Sequence, residues 1–194
     1  MEHSVIGVLE LASIAVGIKV LDSMLKAAPV EILEARSVCP GKYLAVITGG
    51  VAAVEMSLAR GKEAGEGFLV DQLCISNLHR QIIPAIRKPQ EPALWDALGI
   101  LESFSAVASI EAGDAAAKEA AVWIAEIRLA IGLGGKSTLK MIGGIETVEA
   151  AMAAASGRVR AKGLLCQEVI IPNPHPDIRP FLCEFGREET LLWK

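Results

Sequence analysis

The chain has 194 residues, 52% of them apolar, and a formal net charge of −4. This length allows one medium domain or two small ones, and the apolar share predicts a packed core in place of disorder. The acidic balance argues against a clustered basic nucleic-acid footprint. Charges or glycines break every apolar run short of the ~18 residues of a membrane span.

The first residues, "MEHSVIGVLEL", lack the basic start and cleavage pattern of a secretory leader. The mean hydropathy of +0.43 is high for a monomer and predicts surface buried against other chains.

In chain order, "SVIGVLEL" at 4–11 reads as a strand. Residues 13–27 place Ile14, Ile18, Leu21 and Leu25 on one apolar helical face, and Pro29 stops that helix. "APVEILEARSV" and "KYLAVIT" are strands separated only by Cys-Pro-Gly, a hairpin length too short for a parallel crossover. Residues 51–64 form a helix with Val54 and Leu58 inward, "GFLVDQLCI" is a strand, and a short helix runs from His79 to Ile86.

The pattern then repeats. "IGVLE" at 6–10 matches "LGILE" at 98–102, an offset of 92; "PGK" at 40–42 matches "GGK" at 134–136, an offset of 94; "NLH" at 77–79 matches "NPH" at 173–175, an offset of 96. Two small insertions in the second copy account for the drift. The stretch "RKPQEPALWD" at 87–96 reads as the linker, which divides the chain into domains 1–90 and 91–194. Hairpin-paired strands with helices on the sheet make an α+β fold, a layered α/β sandwich. It comprises two tandem ferredoxin-like repeats, each a mainly antiparallel four-stranded sheet flanked by helices.

The candidate chemical motifs are sparse. "GLGGKST" at 132–138 resembles the tail of a phosphate-binding loop, but Ala130 stands where that pattern needs glycine, and a strand follows where it needs a helix. Glu10 and Glu102, like Asp22 and Asp114, recur because the chain repeats. With no nearby His or Lys in sequence, they read as capping groups or intersubunit hydrogen-bond partners. Glu34–Arg36 and Glu126–Arg128 read as ion pairs at a sheet edge or interface. His79 and His175 lack the companions of a metal site and read as local hydrogen-bonding groups. Of the cysteines, Cys74, Cys166 and Cys183 read as plain thiols. Cys39 sits at a hairpin tip, where side chains are exposed, and Lys42 three residues on would favour its thiolate. One cysteine cannot hold a cluster alone; symmetry would have to supply more. No nucleophile with a base is visible, so an enzyme is not expected.

The "IGVLE" and "LGILE" strands, the helix ending in Asp-x-x-x-Lys-x-Ala, the loop before Gly-Gly and the late His-x-x-x-x-Pro resemble the shell-protein domain of bacterial microcompartments. Two unpermuted copies resemble the tandem shell proteins. "VCPGK" at 38–42 is similar to the loop of the iron–sulfur subgroup found in propanediol-utilisation microcompartments.

The resemblance implies a homotrimer mimicking a hexagonal tile, in a shell in the cytoplasm, with other shell proteins and encapsulated redox enzymes as partners. It implies a pore on the three-fold axis lined by Val38, Cys39, Pro40, Gly41 and Lys42, and by Gly132, Leu133, Gly134, Gly135 and Lys136. Cys39 from each chain would hold one [4Fe-4S] cluster per trimer, with one iron lacking a protein ligand; the alternative is a cluster-free metabolite pore. Lys26 and Lys118, with Asn77 and Asn173, match the tile-edge positions. Asparagine there lacks the bidentate fork of the arginine usual in the family.

Overall fold

The computed structural model describes residues 5–90, 92, 95–130 and 132–182. The first half runs β1 (Ile6–Leu11), α1 (Ile14–Ala27), β2 (Glu31–Val38), β3 (Lys42–Thr48), α2 (Val51–Ala64), β4 (Leu69–Ile75) and α3 (Ile82–Arg87). The second repeats it as β5 (Ala97–Ser103), α4 (Ala106–Glu119), β6 (Trp123–Arg128), β7 (Ser137–Gly143), α5 (Ile145–Ala161) and β8 (Leu165–Pro172). A 3₁₀ turn (Pro176–Ile178) and α6 (Arg179–Leu182) follow. Cys183 lies outside the described residues.

Each half has one antiparallel four-stranded sheet, ordered β2-β3-β1-β4 and β6-β7-β5-β8. The α+β layered architecture is as expected. The hairpin that joins β2 to β3 pairs Val38 with Lys42, leaving Cys39, Pro40 and Gly41 as its tip.

Strand β1 explains how the halves join. Successive side chains alternate faces. Leu9 and Leu11 pack with Val20, Met24 and Val54 of their own helices, whereas Ile6 and Val8 belong to the same cluster as Ile110, Ile127 and Leu139 of the second half. All six β1 residues are therefore buried, while in β5 Ile100 and Glu102 remain partly exposed.

Helix α1 corrects one expectation. Its buried face is Gly17, Val20, Leu21 and Met24. Of the stripe Ile14, Ile18, Leu21 and Leu25 read from the sequence, Leu21 is buried, but Ile14, Ile18 and Leu25 are exposed, Ile18 at 54%. Gly17 decides the face. A Cβ there would stand 2.3 Å from Tyr43 Cβ, so α1 lies against β3 along its glycine, more closely than a side chain allows. In α2, Val54 and Leu58 point inward as expected.

Candidate functional site

The Cys39 hairpin is built against its own counterpart. Cys39 donates its backbone N–H to Ala130 O at 3.0 Å. Pro40 lies so close to Gly135 that a Cβ on the glycine would stand 2.9 Å from Pro40 Cδ. Gly135 also has φ +90, so both its conformation and its contact exclude a side chain. The Cys39–Pro40 peptide is cis. The loop at 38–42 and the loop at 132–136 thus meet within one chain.

Around this junction Val38 and Gly135 are buried, Cys39, Lys42, Leu133 and Lys136 are half-buried, and Pro40, Gly41, Gly132 and Gly134 are exposed. Side chains added at Gly41, Gly132 or Gly134 would meet nothing within 4 Å, so the loop tips border open space. A shallow cleft of about 230 Å³ opens beside Cys39.

Each loop ends in a lysine that pairs with a carboxylate from the central strand. Lys42 binds Glu10, and Lys136 Nζ binds Glu102 Oε2 at 2.7 Å. These partners lie some thirty residues apart in the chain, which is why no partner was visible near either glutamate in sequence. Lys42 therefore gives its ammonium to Glu10. The hydrogen bond from Lys136 holds the Glu102 carboxyl below the usual carboxylate range, and the Lys136 ammonium is raised in return. Cys166 Sγ lies 3.7 Å from the same Glu102 oxygen.

The environments of the two pairs differ. Glu10 is fully buried and accepts hydrogen bonds from Ser105 Oγ at 3.0 Å and Ala106 N at 3.2 Å, at the start of α4. This is the capping role expected of it, performed on the other half of the chain. Ser105 Oγ also lies 2.8 Å from Asp71, and Lys162 pairs with both Asp71 and Glu111. Burial pulls the Lys162 ammonium down, but its bonds to Glu111 and Asp71 outweigh this and raise it. Sequence reasoning missed this network, whose members come from β1, β4, α4 and the end of α5. The Glu102 and Lys136 side chains, by contrast, remain 33% and 40% exposed.

The remaining expected positions are spread over the surface. Lys26 pairs with Asp22 at 2.7 Å and is exposed. Lys118 pairs with Asp114 at 2.6 Å, and Asp114 also accepts the His79 backbone N–H at 2.8 Å. Asn77 and Asn173 are exposed. His79 and His175 bond locally, to Gln81 N and Asp177 N. Glu34 pairs with Arg36 on edge strand β2, whereas Glu126 pairs with Lys140 across the hairpin at 2.5 Å. Among the described residues, no group of three or more His, Cys, Asp or Glu could hold a metal ion.

The BMC domain model matches residues 5–78 and again residues 97–174. The chain belongs to the BMC-domain family.

It is 39% identical over 170 residues to the bacterial microcompartment shell protein PduT of Citrobacter freundii, covering 88% of this chain and 92% of that protein. It is also similar to a microcompartments protein from Desulfitobacterium hafniense, with 42% identity and a TM-score of 0.81 over 90% of this chain and 97% of that one. The fused permuted hexameric shell protein MSM0275 from the RMM microcompartment, 21% identical, shares the fold at a TM-score of 0.61, covering 80% of this chain and 81% of that one. The chain is thus a tandem BMC-domain shell protein of a bacterial microcompartment, a structural component and not an enzyme. No described helix is long and apolar enough to cross a membrane.

Proposed function

We propose that three copies of this BMC-domain protein form a pseudohexagonal shell tile, that loops 38–42 and 132–136 line its central pore, and that the three Cys39 thiolates hold one [4Fe-4S] cluster there. The observation that carries this reading is the loop-to-loop contact within one chain, Cys39 N to Ala130 O and Pro40 against Gly135. Equivalent loops that touch across the repeat can continue around an axis, alternating in type. One chain by itself offers no ligand set. Three half-buried Cys39 side chains beside open glycine tips supply three thiolates and the space a cluster occupies. The fourth iron would take a ligand from outside the protein.

When bound, such a cluster supplies one-electron transfer across the shell. The chain's own part is to present one thiol per subunit on a braced hairpin. The Glu10–Lys42 pair anchors the C-terminal end of that hairpin to the central strand. Exposed Lys26 and Asn77, with Lys118 and Asn173, serve the tile edges, where other shell proteins pack. Redox enzymes inside the compartment are the electron partners.

Anaerobic purification with iron and sulfide analysis, followed by electron paramagnetic resonance of the reduced protein, tests the cluster. About four irons per three chains are expected, with loss in Cys39→Ser. Iron-free anaerobic protein, with Cys39→Ser indistinguishable from it, leaves the metabolite pore as the function of the site.

A further inference from the structure

The second half carries a thiol at a place where the first half carries none. Strands β1 and β4 slip register between Glu10 and Leu11, and β5 and β8 do so between Glu102 and Ser103. The residue left out of the ladder is Val70 in the first half and Cys166 in the second. A bulge of this kind re-aims its side chain. Cys166 Sγ stands 3.7 Å from Glu102 Oε2, the same oxygen that Lys136 Nζ binds at 2.7 Å. The Lys136 ammonium is raised first by Glu102 and then by its attraction to the Cys166 sulfur. The thiol is half-buried, and the Glu102 and Lys136 side chains are partly exposed, so a small solute can reach the three together.

We propose that Cys166 is a peroxide-reactive thiol, with Glu102 accepting its proton and Lys136 stabilising its thiolate, and that the product is a reversible sulfenic acid. The site stands on contacts within one chain and not on the tile or the cluster.

The thiolate is the reactive form of cysteine, and a partly exposed place beside a lysine favours it. The thiol gives its proton to Glu102 along their hydrogen bond. The sulfur then attacks one oxygen of hydrogen peroxide, and the S–O bond forms as the O–O bond breaks. The departing hydroxide takes the proton back from Glu102 and leaves as water. Sulfur loses two electrons and the peroxide gains them; one thiol and one peroxide become one sulfenic acid and one water. The added oxygen is a new acceptor for Lys136, so oxidation competes with Glu102 for the lysine that ends the 132–136 loop. Cys74 is the contrast within the same chain. It is the more exposed thiol, yet desolvation and then Glu55 raise it, against the opposing charge of Lys62. Exposure alone ranks Cys74 first; the neighbouring charges rank Cys166 first.

The full chain carrying Cys39→Ser, which removes the proposed cluster ligand, is the protein for the test. It is treated with dilute hydrogen peroxide and trapped with dimedone, and mass spectrometry gives a labelling rate for each cysteine. Cys166 should label about tenfold faster than Cys74, and a thiol reductant added before the trap should abolish the label. Lys136→Met and Glu102→Gln should each slow Cys166 about tenfold while leaving the Cys74 rate and the circular dichroism spectrum unchanged. Lys136→Arg, which keeps the positive charge, should restore most of the rate. Cys166 labelling no faster than Cys74, or Cys166 rates that neither Lys136→Met nor Glu102→Gln changes, would overturn the site. So would Lys136→Arg as slow as Lys136→Met. None of these outcomes bears on the cluster, because the test protein lacks Cys39.

Discussion

Ser105, at the start of α4, donates its hydroxyl to the carboxylate of Glu10 in β1, 3.0 Å away across the junction of the two repeats. Glu10 is fully buried, so its charge is tolerated only because Lys42, Ser105 and the Ala106 N–H all bind it. Deleting the carboxylate strands a half-buried ammonium and a helix N–H at once. Glu10→Ala should cost about 3 kcal/mol or more. At this chain length that is roughly ten degrees in Tm, measurable by calorimetry. A change of a degree or less would mean that the network contributes little to stability.

Glu102 occupies the equivalent place with a different consequence. Its carboxyl is held below the ordinary value of 4.5 by the Lys136 hydrogen bond. A group with a depressed pKa contributes stability that is fully present above its unfolded value and is lost as pH falls through its folded value. The contribution should hold at neutral pH and fade as pH falls below 4.5. Tm followed from pH 7 downward should begin to fall below that value, and Glu102→Gln should weaken this acid-dependent loss.

Gly17 lies inside α1, where alanine ordinarily stabilises a helix by about 1 kcal/mol. Here a Cβ meets Tyr43 at 2.3 Å. The sign should reverse, and Gly17→Ala should destabilise by about 2 kcal/mol or more in urea denaturation, as overpacking does. Gly99→Ala, whose added Cβ meets Met141 at 2.9 Å and Met152 and Val148 at 3.0 Å, each farther off than Tyr43 is at Gly17, should cost less.

Cys39→Ser should leave the fold intact. The side chain is half-buried at a hairpin tip, and the hairpin is fixed through its backbone bond to Ala130. A Tm within about two degrees of wild type is expected, together with complete loss of anaerobically bound iron. A large drop in Tm would recast Cys39 as a packing residue.

Cys74 is exposed, yet its thiol is raised above 9.0, first by desolvation and then by the neighbouring charge of Glu55. Because the thiolate is the reactive form, Cys74 should alkylate more slowly at pH 8 than a free peptide cysteine, with mass spectrometry giving the site-resolved rate. Glu55→Gln should quicken it.

Much of the fold was legible because local patterns and global structure agree. The Cys-Pro-Gly spacing between two apolar runs permits only a hairpin, and β3 begins and ends where "KYLAVIT" does. The face of α1 was not legible. Ile14, Ile18 and Leu25 satisfy the helical period as well as any core stripe, and periodicity alone does not decide which apolar side chains the sheet covers. The lysine partners of Glu10 and Glu102 were hidden for a related reason. Strands β1 and β3 are neighbours in the sheet but lie more than thirty residues apart in sequence.

The sequence by itself determined the duplication, the strand and helix order of each half, the family likeness and the single loop cysteine, because each is written in residue identity and spacing. Only the tertiary structure decided which of two equivalent glutamates is buried, which helix face is covered, and that the two loops touch. Those outcomes depend on how one repeat docks on the other. Docking makes unequal environments from dissimilar surroundings of the same residue: Glu10 finds Ser105 and is fully buried, while Glu102 stays partly exposed beside Lys136.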